Sequence, residues 1–402
     1  MKPLHDIRVV DLSRVLAGPW SSQILADMGA DVIKVERSGE GDDTRAWGPP
    51  FVPGEGGGDL SATYFHSANR GKRSIAIDFN CAEDLEVVKR LIADADIVIE
   101  NFKVGALKKF GLDYATLSAR HPGLIYCSIT GFGQTGPYAH LPGYDAMIQA
   151  LGGFMAVTGE PNGEPMKVGV AVVDLFTGVY ATTGILAALH ARKSTNRGAH
   201  IDMSLLDVQV GVLANQAASY LISGQAAPRL GNAHPNLAPY QVFAAADGHL
   251  MIAVGNDGQF ARLCNVLGND ALAFDASYRQ NPDRVRNREG LIALLSEKIA
   301  KWKKADLVAK LEGAGVPVGP INTVPEVFAD PHVIARGMRV DIASPAAAGG
   351  SVPGVRTPIM FNGEPCVAEL PAPALGQHTE EVKQSLDAPE RKRARLRLSV
   401  GA

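Results

Sequence analysis

The sequence predicts an α/β fold, and three observations carry that prediction. Residues 7–12 (IRVVDL), 20–28 and 30–36 (ADVIKVE) read as strand, helix and strand, a βαβ unit that implies parallel pairing. The alternation continues through strands at 74–77, 97–100 and 124–130 and an amphipathic helix at 82–95, where Leu85, Val88, Leu91 and Ile92 fall on one face. Another strand–helix pair follows at 198–216, before the chain changes character.

Taken in order, Gly18-Pro19 punctuates the loop after the first strand, which reads SRVLAGPW. It is not the GxGxxG of a dinucleotide site, although an acidic residue, Glu36, ends the second strand. Residues 37–58 are polar and glycine-rich and read as a long loop. Arg70, Lys72 and Arg73 form a basic cluster, read either as a phosphate grip or as a solvated loop. Lys108 and Lys109 ride on a short helix around residues 106–112. The strand at 124–130 runs into GFGQTGP (131–137), whose glycines allow close backbone approach to a ligand, and Gly143-Tyr144-Asp145 opens a helix.

Residues 168–173 (VGVAVV) read as a short buried strand ending at Asp174, followed by an apolar helix over 175–189 containing Gly178 and Gly184. Residues 226–240 read as a loop. A hairpin turns at Asp247-Gly248, with helices at 259–267 and 290–300. The basic runs 284–288 and 301–304 read as solvated helix ends, and 315–321 as a turn plus strand. The tail closes with a charged helix over 380–397, and no internal repeat is visible.

With 402 residues the chain is long enough for two or three domains. It is 46% hydrophobic and 20% charged, with a net charge of −3, so no basic excess points to nucleic acid or to an anionic membrane. Cys81, Cys127, Cys264 and Cys366 lie far apart, without metal-ligand spacing, and read as free thiols of a reducing compartment. The N-terminus is too charged for a signal peptide, and no apolar run reads as long enough to span a bilayer. A cytoplasmic protein is the expectation.

Asp174 carries the functional argument. A carboxylate at a strand-to-helix junction, walled by apolar residues, is poorly hydrated and therefore a stronger nucleophile. The same position suits an N-cap, whose oxygen accepts the free N–H groups of the first helical turn.

DLSRVLAGPWSSQILADMGADVIKVER, RGKRSIAIDF, IENFKVGALKKFG, SITGFGQTGP, PGYD and VAVVDLFTG occur in this order. Together they resemble the family III CoA-transferases, over about residues 5–210, with echoes at 315–322 and 373–382. GEGDDTRAWGPPF, YCSITGFGQTGP and LGNAHPNLAPYQVF resemble most the succinyl-CoA-dependent, dicarboxylate (glutarate-type) branch. Leu16 stands where formyl-CoA transferases carry Gln, which argues against a formate/oxalate pair.

The resemblance implies a Rossmann-like large domain with a parallel sheet, a smaller inserted α+β domain and an interlocked homodimer. The expected divisions are 1–210, 211–325 for linker and small domain, and 326–402 for the return to the large domain. It places the catalytic carboxylate on Asp174 and the CoA contacts on Arg37, Lys72, Asn101, Phe102 and Lys109. A dicarboxylate needs a cation for its far end, and Arg45, Arg73, Arg229 and His234 are the candidates, with Tyr144 a further substrate-site residue. CoA enters as substrate, with acyl-CoA and a small carboxylic acid as partners; no bound cofactor and no metal are implied. The implied chemistry is transfer of CoA from an acyl-CoA donor through an aspartyl anhydride and an aspartyl–CoA thioester. Two alternatives accompany it. A 2-methylacyl-CoA racemase of the same fold would carry His where Tyr144 stands, and a non-catalytic CoA-binding protein would bind without transfer.

Overall fold

A computed structural model describes residues 1–387, which resolve into two compact units. The first comprises residues 1–154, 168–218 and the chain from 334 onward; the second comprises 155–167 and 219–333. The expected divisions at 210 and 325 stand beside observed ones at 218 and 333, and residues 155–167 go with the second unit.

The first unit is built on six strands: β1 (Arg8–Asp11), β2 (Asp31–Arg37), β3 (Lys72–Ile77), β4 (Ile97–Glu100), β5 (Ile125–Thr130) and β6 (His200–Ser204). All are parallel, in the order β3-β2-β1-β4-β5-β6. Side chains of a strand alternate between faces, so a parallel sheet covered on both sides needs apolar residues at successive positions. β1 and β4 show this. Val9, Ile97 and Ile99 enter one core, while Val10 and Val98 enter the other. The second core also takes Val382 and Leu386 from the helix Thr379–Asp387, so the end of the described chain returns to this sheet. The expected extension of that helix to residue 397 lies outside the described residues.

Three helices fix the surroundings of Asp174: α1 (Ala17–Asp27), α2 (Asp145–Leu151) and α3 (Val172–Thr195). α1 and α3 cross closely at Gly178, where a methyl group would sit 2.8 Å from the Ala17 carbonyl oxygen and 3.0 Å from Trp20. Ser21 and Thr182 hydroxyls join across the same contact at 3.0 Å. At 24 residues, α3 is long and apolar enough to cross a membrane by length and composition alone, which corrects the expectation that no segment is. Here Val173, Ala181, Ile185 and Leu189 of α3 join the core on one face of the sheet.

Two other expectations are corrected in this unit. Residues 168–171 form no strand, and the helix begins at Val172. The expected long loop at 37–58 contains a short 3-10 turn, Asp43–Ala46, and the first strand of a hairpin, Phe51–Pro53 against Asp59–Ala62.

The second unit has its own core and an antiparallel three-stranded sheet: Tyr240–Ala245, Gly248–Ala253 and Val318–Pro320. The turn falls at Asp247, as the Asp-Gly pair predicts. Arg284 corrects the reading of residues 284–288 as solvated. Its guanidinium is buried, donates to the carbonyls of Ala238, Tyr278 and Arg279, pairs with Asp257 at 2.7 Å and lies over the Phe260 ring.

Candidate active site

The strand order reverses direction between β1 and β4, and in doubly wound sheets the crevice beyond the carboxyl ends of strands at such a switch point is where ligands bind. The loops leaving β1, β4 and β5 meet there around a cleft of about 380 Å³. Arg14 to Ala17 line it from β1, Asn101 to Val104 from β4, and Gly131 and His140 to Tyr144 from β5; Asp174 contributes the carboxylate.

These loops are tied to one another. The Asn101 amide donates to the Arg14 carbonyl at 2.7 Å and accepts from the Arg14 N–H at 3.0 Å. Val15 sits at φ 71°, a region a β-branched residue rarely adopts, and its N–H points at the Asp42 carboxylate at 3.3 Å. Gly131 and Gly143 touch backbone to backbone; a methyl on either would come within 2.6 Å of the other. That contact lets the 131–143 loop fold back on itself to form one wall.

Asp174 is the third residue of α3, so it is not an N-cap. Ala171 holds that position, and no side chain at the cap accepts a hydrogen bond. The first-turn N–H groups are satisfied from elsewhere. Asp145 Oδ1 accepts from Val173 N–H at 2.8 Å and from Asp174 N–H at 3.3 Å. The carboxylate of Asp174 is thereby left free of capping duty, half-buried and facing the cleft. Burial and then the neighbouring Asp145 charge push it up to about 7. Tyr64 is close enough to feel both carboxylates, and burial together with those charges pushes its hydroxyl up to about 12. Neither Asp145 nor Tyr64 is anticipated in these roles by the sequence. Asp145 reads there only as a helix opener, and nothing in the local pattern around Tyr64 signals proximity to residue 174.

This pair yields a direct test. Asp145→Asn keeps an oxygen for the Val173 N–H but removes the charge. The acid limb of the pH–rate profile is expected to move down by about half a unit or more, because only the burial contribution remains. A limb that stays where it was would show that the Asp145 charge does not reach Asp174.

The other predicted site residues divide into three groups. Asn101, Phe102 and Tyr144 line the cleft with Asp174. Tyr144 is 63% exposed, so it is not a core residue. Phe102 stacks on Phe79, which meets Phe110 edge-on, and Lys109 lies 4.6 Å above the Phe110 ring, so an aromatic row leads from the cleft to Lys109. Arg37 is exposed at the end of β2 and pairs with Glu40.

Lys72, Arg45 and Arg73 are corrected. Lys72 is fully enclosed, its ammonium held by Asp11 at 3.1 Å, the Pro19 carbonyl and the Asn69 amide oxygen. Arg45 pairs with Glu36 at 2.6 Å and lies over the Phe65 ring. Arg73 forks onto Asp31 and reaches Glu381. With Arg70 on Asp27 at 2.6 Å, the whole basic cluster is a set of internal ion pairs, neither a phosphate grip nor a solvated loop. Arg229 and His234 belong to the second unit. There Arg229 donates to the carbonyls of Glu160 and Gly163, and His234 packs edge-on against Tyr240.

The glycine-rich loop after β5 has less backbone to offer a ligand than its composition suggests. Gly133 N–H donates to Thr130 Oγ1 at 2.9 Å and Gln134 N–H to the Asp202 carboxylate at 2.9 Å. Arg14 and Lys103, which line the cleft and are exposed, fall within the motifs DLSRVLAGPW and IENFKVGALKKFG, but the sequence assigns neither a role.

Comparison with known proteins identifies the family. The chain is 56% identical over 390 residues to a succinate–glutarate CoA-transferase of Agrobacterium fabrum, covering 97% of each chain. It is 44% identical to a succinyl-CoA:glutarate CoA-transferase of Mus musculus over 382 residues, 95% of this chain and 86% of the relative. A crystal structure of a CAIB/BAIF family protein from Brucella suis superposes with a TM-score of 0.85 at 55% identity, covering 96% of this chain and all of the other. The family model for CoA-transferase family III matches residues 4–379, nearly the entire described chain, and the protein is therefore a member of that family and an enzyme of CoA transfer.

Proposed function

We propose that the protein moves CoA between succinyl-CoA and glutarate or a closely similar dicarboxylate, with Asp174 as the group that carries the acyl chain and then the thioester. The observation that carries this reading is the Asp174 carboxylate in the first turn of α3, released from capping by Asp145 and turned to a cleft at the sheet's switch point. The choice of acids is supported by the Agrobacterium fabrum and Mus musculus relatives.

The steps follow from what a carboxylate can do. Asp174 attacks the thioester carbonyl of the donor, forming an acyl–aspartyl anhydride and expelling CoA thiolate. The thiolate attacks the Asp174 carbonyl of the anhydride, releasing the donor's acid and leaving an aspartyl–CoA thioester. The acceptor carboxylate then attacks that thioester, and the returning thiolate collapses the new anhydride onto the acceptor. Charge and atoms balance at each step, with Asp174 regenerated at the end. A carboxylate held beside the thioester gains effective concentration, and its poor hydration raises its reactivity.

Lys103 at the rim of the cleft offers positive charge for a distal carboxylate or a phosphate, Arg14 beside it is already paired with Asp43 at 2.7 Å, and Phe102 offers an apolar face for the pantetheine arm. Dimer formation, which the family resemblance implies, is supported by apolar side chains left exposed on α3: Phe176, Val179 and Tyr180.

The test has two parts. Succinyl-CoA is offered with glutarate, itaconate, malate, mesaconate and hydroxymethylglutarate in turn, and glutarate is expected to give the highest kcat/KM. Enzyme with succinyl-CoA is then quenched with hydroxylamine and mapped by mass spectrometry, with the hydroxamate expected at Asp174. Labelling at any other residue, or none, would remove the assignment.

A further inference from the structure

We infer that Gln149 is a positioning residue for transfer, acting through Asp145 to hold Asp174 in its reactive setting; this rests on the reading of Asp174 as the acyl carrier. Gln149 is completely buried on α2, one turn beyond Asp145. Its Nε2 donates to Asp145 Oδ2 at 2.6 Å, and its Oε1 accepts from the Val168 N–H at 2.8 Å. The two partners fix the amide's orientation, because a carboxylate only accepts and an N–H only donates.

The result is a continuous chain of hydrogen bonds. It runs from the Val168 backbone through the Gln149 amide to one oxygen of Asp145, and from the other oxygen to the first-turn N–H groups of Val173 and Asp174. Gln149 thus grips both ends of the segment 168–174 that carries Asp174. Neither role calls for amide chemistry on packing grounds. An apolar side chain would fill the same space without the cost of burying an amide, so the amide is explained by the partners it satisfies.

The titratable and charged groups around Asp174 limit what else could tune it. Asp145 comes from α2, Tyr64 from the helix Thr63–Ala68, His140 and Tyr144 from the loop after β5, Arg14 from the loop after β1 and Lys103 from the loop after β4. Only Asp145 is bonded to Gln149. Without the amide donor the Asp145 anion is held less firmly against the first turn of α3, and it repels the Asp174 charge less.

The experiment replaces Gln149 in the full chain by leucine and, in case that variant folds poorly, by the unbranched methionine. Asp174 ionisation is followed by infrared titration, with its carboxylate band assigned by its loss in Asp174→Asn. This readout needs no turnover, so it is independent of the hydroxylamine trap that tests the carrier role itself. The Asp174 midpoint is expected to fall by about half a pH unit or more in a folded variant. The kcat for transfer is expected to drop roughly 10- to 100-fold while KM for succinyl-CoA stays within about threefold. A midpoint unmoved within about 0.2 unit, or a lower melting temperature with unchanged kcat, would overturn the assignment and leave Gln149 as packing.

Discussion

Replacing Asp174 by alanine is expected to remove transfer activity by a factor on the order of 10⁴ or more, while CoA still binds. Nothing else in the cleft can take its place. Among the described residues lining it, Asp174 is the sole carboxylate, and a hydroxyl such as Tyr144 cannot form the anhydride through which a carboxylate acceptor is activated. Asn101 and Phe102, the expected CoA contacts in the cleft, take no part in the hydrogen bonds around Asp174, so binding is expected to survive. Equilibrium binding of CoA to the variant separates the two effects: loss of binding together with turnover would mean that Asp174 supports the cleft rather than the chemistry.

The same side chain should reveal itself in stability. Asp174 titrates near 7 when folded, against about 4 for an unfolded aspartate. Between those values the folded state binds more protons than the unfolded state, so its contribution is intact below about pH 4 and is lost as pH rises through about 7. Asp174→Asn cannot ionise. It is expected to be more stable than the natural chain at pH 8, by roughly 1–3 kcal/mol, and no more stable at pH 4. Thermal melts at the two pH values check the sign, and a gain of this kind is what a site held in an unfavourable electrostatic state for function predicts.

The parallel sheet is legible in the sequence because its strands are nearly continuous apolar runs separated by turn residues, and burial on both faces demands such runs. The run at 168–173 has the same pattern and is not a strand. Gly169 and Val170 are exposed there, and the chain passes straight into a helix whose first N–H groups are claimed by Asp145 from 28 and 29 positions earlier. A local pattern cannot show a cap supplied from that distance, and the N-cap reading of Asp174 fails for the same reason. The basic triplet fails similarly. Arg70, Lys72 and Arg73 each meet an acid more than forty positions upstream, Asp27, Asp11 and Asp31, and only the folded sheet brings them together. Motif order identifies Asp174, but Asp145 and Gln149 become visible only when two helices converge.

Lys72→Met is expected to cost on the order of 3–5 kcal/mol of stability, rather than to weaken binding of the acyl-CoA. Its ammonium lies in a fully buried network in which Asp11 also accepts from the Ser13 and Ser22 hydroxyls, and Lys34, equally buried, joins the Ser13 carbonyl to Asp42 at 2.8 Å. Burial pulls Lys72 down to about 8, a shift that Asp11 partly offsets, so the lysine is charged at neutral pH and its pairing is what makes its burial tolerable. Removing it takes away the one ammonium bonded to Asp11 and leaves that buried carboxylate with the Ser13 and Ser22 hydroxyls, the Ser13 N–H and the more distant charge of Lys34. The melting temperature should fall on the order of 10 °C. Replacing Asp11 by leucine in the same chain should recover part of that loss, because an apolar pair of similar volume leaves no uncompensated charge. If Lys72 instead served the phosphates of CoA, the single replacement would raise KM for succinyl-CoA at unchanged melting temperature, and the Asp11→Leu change would not restore anything; the two measurements together decide between a strut beneath the β1 loop and a ligand contact.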